Sequence, residues 1–241
     1  MSILSSAFLA LQRNLGPLLF YLCVGFVVYS GRLAIDTLVI KPMGEDISET
    51  FIRFYGILVD IVAVAIIALA QTIAFSRIGR DIDRPMWRVE DDREALRRFY
   101  GLWLLLGLGN IAALRILDIA AASTGEESTR FLLAMLWLSG AVLIVPVGSS
   151  VMFYGHVKRE EVGEALSTML QHIPYVLLFS VIGIFFGFMF IGLQPDLPLW
   201  ARPALAIADA YLDCFLFTCM WLVCIYHRDE FQHPDNQDFD F

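Results

Sequence analysis

The sequence is poor in charged residues and lacks the short motifs that identify common enzyme classes. Only 17% of its 241 residues are charged and 58% are hydrophobic, whereas about 25% of the residues in a soluble domain are charged. The sequence contains no nucleophile elbow, phosphate-binding loop, dinucleotide fingerprint or H-E-x-x-H motif. We therefore expect a protein that is not an enzyme and that has no catalytic residues and no cofactor.

Features typical of nucleic-acid or metal binding are also missing. Acidic residues outnumber basic ones, giving a net charge of −8, and no broad basic surface is present that could bind phosphates, which excludes a nucleic-acid partner. No histidine or cysteine spacing matches a zinc site, and we predict no metal. The four histidines are His156, His172, His227 and His233.

Long apolar runs dominate the sequence instead, and they predict an all-α polytopic membrane protein. Each run reaches roughly 20 residues, which as a helix crosses about 30 Å of hydrocarbon. A helix also satisfies its own backbone polar groups in lipid. We predict one six-helix bundle over residues 1–228 in the lipid bilayer, with spans near 17–40, 51–76, 99–121, 130–156, 173–193 and 203–226.

The two ends of the sequence differ from the spans. Before the first span, apolar residues of the first eleven positions fall on one helical face, which predicts an amphipathic helix lying on the membrane interface. Residues 229–241 form an acidic tail that we expect to be disordered.

Arginine and lysine are distributed unevenly between the predicted loops. The 77–98 loop contains seven arginines, whereas the loops on the opposite side contain only Lys41, Arg130 and Arg202. Basic residues are enriched in cytoplasmic loops. We therefore predict that both termini are cytoplasmic and that the protein resides in the plasma or inner membrane.

Ionisable residues also occur inside four of the predicted spans, always toward the same side of the membrane. Each of these spans carries two of them on one helical face, and the set is Arg32, Asp36, Arg53, Asp60, Arg115, Asp118, Asp209 and Asp213. Charges in hydrocarbon are costly and should face one another inside the bundle. One interpretation is a set of structural Arg–Asp pairs. The other is an outward-facing polar cavity in which Asp60 and Asp213 bind a proton or cation.

Small residues and a proline mark two further spans. Gly183, Gly187 and Gly192 predict a face for close helix packing, either within the chain or with a partner. In "VPVGSS", Pro146 and Gly148 predict a kinked or interrupted helix, with the two serines binding the freed carbonyls.

Two functional hypotheses follow from these patterns. The first is a non-catalytic, membrane-embedded interaction or scaffold subunit of a larger assembly, binding a membrane protein partner or further copies of itself through the glycine face. The alternative is a small transporter or channel-like protein that uses the Asp/Arg cavity.

Overall fold

The computed structural model describes residues 2–40, 49–83, 89, 91–124, 127–155, 159–194 and 197–232. Within these ranges the regular structure is entirely helical. Six of the helices are long and apolar enough to cross a membrane. The structure therefore confirms the prediction of an all-α, multi-pass membrane protein.

The candidate spans belong to α2, α3, α4, α5, α7 and α8, and α2 is extended by a π-helical turn at Asp36–Ile40. In chain order the helices are α1 (Ile3–Arg13), α2 (Leu15–Ile35), α3 (Glu49–Ile82), α4 (Asp92–Thr124), α5 (Glu127–Phe153), α6 (Arg159–Gln171), α7 (Ile173–Leu193) and α8 (Pro203–Gln232).

Several helices extend beyond the predicted boundaries. Helix α3 continues to Ile82 instead of ending at 76. Helix α4 begins at Asp92, which confirms the helix start that Asp91 and Asp92 predict ahead of the span near 99–121. Arg77 and Arg80 both bind Asp92, at 2.5 and 2.6 Å, so ion pairs join the end of α3 to the start of α4. Helix α8 reaches Gln232, so the first residues of the predicted tail are helical; the remainder lies outside the described residues.

Helix α6 was not predicted from the sequence. Its sequence, REEVGEALSTMLQ, has little net hydrophobicity, yet Ala165, Thr168 and Met169 on one face are buried. The helix packs against α5, and the Thr168 hydroxyl contacts the Tyr154 hydroxyl at 2.5 Å. The segment is therefore a short docked helix and not a loop.

The helices pack in a defined order. Helix α2 lies against α3 and α8, α3 lies against α4, and α5 contacts α4, α7 and α8, while α1 packs on α8. Ala7 and Leu11 of α1 are buried by this contact. A position of α1 on the membrane interface remains a prediction.

Polar contacts join the helix ends near the termini, and we call this side the terminus side. Arg228 of α8 forms a two-pronged ion pair with Asp83 at the end of α3, at 2.9 and 3.0 Å. Asn14, between α1 and α2, donates a hydrogen bond to Asp81 at 2.9 Å. The N- and C-terminal helices therefore meet on the terminus side. We call the other end of the helix bundle the opposite side.

Helix α5 is continuous through Pro146, which corrects the expectation that "VPVGSS" interrupts it. The two serines bind neighbouring helices and not carbonyls of α5: Ser149 donates to the Phe217 carbonyl at 2.9 Å and Ser150 to the Ala165 carbonyl at 3.0 Å. A Cβ at Gly148 would lie only 2.4 Å from Cη2 of Trp103. Gly148 thus makes room for this indole.

Two of the three predicted packing glycines are used within the chain. A Cβ on Gly183 would lie 2.3 Å from Cγ1 of Val142, and one on Gly187 would lie 2.7 Å from Cδ1 of Leu138. Both partners belong to α5, so these glycines allow α5 and α7 to approach closely. Among the described residues nothing lies within 4 Å of the Cβ position of Gly192, and this glycine does not pack on Val142 or Leu138.

We predict that Gly183→Ala destabilises the protein relative to Gly192→Ala. The gain in helix propensity is the same for both variants, but only the first pushes a methyl into the stiff, β-branched Val142. The difference should be about 1–3 kcal/mol, which is typical of overpacking. Thermal unfolding of both variants in the same detergent measures it, and equal unfolding temperatures would contradict the α5–α7 contact.

Candidate functional site

Asp60 forms the centre of an ion triad that connects three helices. One carboxylate oxygen binds Nη2 of Arg32 from α2 at 2.9 Å, and the other binds Nη2 of Arg115 from α4 at 2.6 Å. The Asp60 side chain is 5% exposed, whereas the Arg32 and Arg115 side chains are 48% and 43% exposed. The triad carries one net positive charge and lies toward the opposite side.

The ion pairs of the triad join residues of different helices and not two residues of one helix. The sequence placed Arg32 near Asp36 on the same helical face, yet Arg32 binds Asp60, and Asp36 has no ion pair with a described residue. Arg53 and Asp118 belong to α3 and α4, but their side chains lie outside the described part of the structure.

Two further aspartates, Asp209 and Asp213, lie on α8, one helical turn apart. Asp213 accepts a hydrogen bond of 2.7 Å from the Tyr21 hydroxyl, which itself accepts one of 3.1 Å from the Gln71 amide. Tyr21 and Gln71 are buried. Among the described residues, neither aspartate has a basic partner. We call Asp209 and Asp213 the acid pair.

Two side-chain contacts, which we call rungs, join α2 to α3, and they are separated by the same number of residues on both helices. Tyr21 contacts Gln71 and Arg32 contacts Asp60, so each helix advances eleven residues from one rung to the other. Eleven residues complete just over three helical turns and rise about 16 Å. Both rungs therefore lie on one face of each antiparallel helix, at two different depths.

The acid pair and the triad border one cavity of about 570 Å³, which is lined by residues of all six long helices. Its wall is mainly apolar, with aromatic side chains among the lining groups. Trp137 is fixed in the wall by a hydrogen bond of 2.9 Å from its indole nitrogen to Asn110. The charged and aromatic lining residues are Arg32, Asp60, Asp209, Asp213, Tyr21, Tyr29, Trp103, Trp137 and Phe190.

The geometry distinguishes between the predicted site residues. Asp60 and Asp213 were expected to act together as a proton or cation site, but two guanidinium groups already bind Asp60. Of the described aspartates that line the cavity, the acid pair alone lacks a basic partner among the described residues. Sequence reasoning missed Tyr21 and Gln71; a glutamine within an apolar span is the signal that could have revealed them.

The histidines form a separate contact on the terminus side. Nε2 of His172, before α7, lies 3.0 Å from Nδ1 of His227 on α8. His156 and His233 lie outside the described residues. Within the described ranges, no group of three or more histidine, cysteine or acidic side chains is arranged to hold a metal ion.

Comparison with protein families, curated proteins and solved structures returns no match for this chain. The fold and the site together define its class: a six-span helical membrane protein with a mainly apolar cavity that contains an acid pair.

We predict that Asp60→Asn destabilises the protein more than Arg32→Gln or Arg115→Gln does. Losing Asp60 leaves two guanidinium groups without a counter-ion, whereas losing either arginine leaves a neutral pair. The cost should be about 1–3 kcal/mol, below that of a fully buried unpaired charge, because both arginines are partly exposed.

Thermal unfolding of the three variants in detergent tests this order. Asp229→Asn is the matched control, because that side chain is 61% exposed at the far end of α8. An Asp60→Asn variant as stable as this control would show that the triad does not hold the helices together.

Proposed function

We propose that this protein is a small, non-catalytic transporter or channel-like protein of the plasma or inner membrane that binds a proton or cation at the acid pair. The observation that carries the proposal is the presence of Asp209 and Asp213 in a cavity, without a basic partner among the described residues. An unpaired carboxylate in a membrane interior takes up a proton or a cation.

The membrane arrangement is part of the same proposal. The six spans form one bundle, α1 lies on the interface, and both termini are cytoplasmic. The excess of arginine near the terminus side supports this orientation. The triad then lies toward the outer surface, and the cavity is accessible from outside.

The hydrogen bonds to the acid pair support a binding role. The Tyr21 hydroxyl donates a hydrogen bond to Asp213, which stabilises a carboxylate but supplies no positive charge. The Gln71 amide donates a hydrogen bond to the Tyr21 hydroxyl and so orients it. Asp213 is therefore held in place while its charge remains available to a ligand.

A second candidate is the interaction-subunit hypothesis, and one observation favours it. Helix α7 exposes a row of large apolar side chains that includes Val181, Phe185 and Phe186, a face that a partner helix could cover as well as lipid. Its glycines, however, already pack on α5 within the chain.

We predict that Asp213→Asn and Asp209→Asn each reduce cation or proton flux on the order of tenfold or more, because each removes a carboxylate from the cavity. Flux is measured in liposomes with an internal pH- or cation-sensitive dye under an imposed gradient. Asp229→Asn, the same substitution on the same helix outside the cavity, should leave flux unchanged. Wild-type rates in both cavity variants, confirmed as folded, would disprove the proposed role of the acid pair.

Native mass measurement after gentle detergent extraction separates the two candidates. We expect monomers or homo-oligomers that transport unaided when reconstituted. A stoichiometric membrane partner, together with absent flux for the isolated chain, would favour the interaction subunit.

A further inference from the structure

We propose that the cavity binds a monovalent organic cation with an apolar body and releases a proton in exchange. This inference rests on the proposed function and specifies its substrate class. Three properties of the cavity support it: the volume, the chemical character of the wall and the net charge.

The size exceeds what a bare ion needs. A volume of about 570 Å³ falls within the roughly 300–1,000 Å³ of sites for drug-sized molecules. A metal such as Ca²⁺ instead requires about six to eight oxygen ligands in close array. In the described structure, the only side-chain hydrogen bond to an oxygen of the acid pair comes from the Tyr21 hydroxyl.

The wall suits an apolar cation. Aliphatic side chains such as Ile67, Ile111 and Leu216 share it with aromatic rings, including Trp137. Aromatic faces attract organic ammonium groups, and the attraction strengthens when water is excluded. Trp103, also in the wall, is 1% exposed, and its indole N–H has no hydrogen-bond partner among the described residues. This N–H remains as a buried donor for a ligand atom or a water.

The net charge of the cavity determines the charge of the ligand that we expect it to bind. Helices α5 and α7 contribute no charged lining residue from their described parts. The ionisable groups in the wall or bound to it are Tyr21, Tyr29 and Arg32 from α2, Asp60 from α3, Arg115 from α4, and Asp209 and Asp213 from α8. With both tyrosines neutral and the others ionised, two positive and three negative charges leave one negative charge.

One monovalent cation or one proton neutralises this cavity, and binding both would give it a positive charge. The two ligands therefore compete for the acid pair, and a cation that binds to the protonated pair displaces the proton to water. No covalent bond changes in this exchange. A gradient of either species can then drive movement of the other.

The test uses tetraphenylphosphonium and tetraphenylborate, which share one shape and carry opposite charges. Binding to the purified full-length protein in detergent is measured by isothermal titration, with empty micelles as the blank. We expect only the phosphonium to bind. Its affinity should fall on the order of tenfold or more in Asp213→Asn and in Asp209→Asn, and should remain unchanged in Asp229→Asn.

Proton exchange provides a second measurement on the same complex. Phosphonium affinity should rise with pH by up to about tenfold per unit while the pair loses its proton, and then level off. The heat of binding should also change with the ionisation enthalpy of the buffer. Binding without this dependence would overturn the exchange.

The remaining outcomes separate the two proposals. Equal binding of both ions, or phosphonium binding that survives both cavity substitutions, would show an apolar pocket that does not sense charge and would overturn the inference. Proton or metal-ion flux without phosphonium binding would leave the proposed function standing and reject the substrate class. Absence of both flux and binding would reject both proposals. If Asp213→Asn does not fold, Asp209→Asn and Tyr21→Phe test the same pair.

Discussion

The bridge from Asp60 to two arginines is the constraint on which the other contacts of the site depend. Each carboxylate oxygen binds a guanidinium group from a different helix, so α2 and α4 can rotate little about their own axes without breaking an ion pair to the buried Asp60 carboxylate. Once Arg32 faces Asp60, the eleven-residue spacing turns Tyr21 toward Gln71, about 16 Å deeper in the structure. The triad and the tyrosine bridge therefore fix one interface at two depths.

Helix α8 joins this arrangement through a ladder of contacts with α3. Gln71 and Asp213 are linked by Tyr21, Phe75 stacks on Phe217 with ring centroids 4.3 Å apart, and Gly79 lies beneath Trp221. On each helix these positions are four residues apart, so every rung lies one turn beyond the last. The polar rung borders the cavity, and the aromatic rungs fill the space toward the terminus side. The ladder thereby places the acid pair at the boundary between an accessible cavity and a packed core.

The sequence predicts the spans well because the cost of burying charge in lipid acts on composition, which one chain displays directly. It predicts the contacts of the site poorly because they depend on how each helix is rotated. Spacing along one helix suggested that Arg32 belongs with Asp36, but its partner lies on α3. Helix α6 was missed for a related reason, since its sequence has little net hydrophobicity and its burial depends on packing against α5. The close approach of Gly148 to Trp103 could not be predicted either, because it depends on how α4 and α5 face each other.

Under our proposal, the two interpretations of the intramembrane charges apply to different residues. Asp60 fits the structural interpretation, because two counter-ions and strong burial make it a connection between helices. The acid pair does not, because a hydrogen bond from Tyr21 orients Asp213 without neutralising it. Two carboxylates in one cavity repel each other, and the membrane disfavours both charges. Neutral side chains at these two positions would therefore stabilise the fold better. A ligand that carries positive charge removes this penalty, and so the cost of the acid pair is itself the physical argument that a cation or proton binds there.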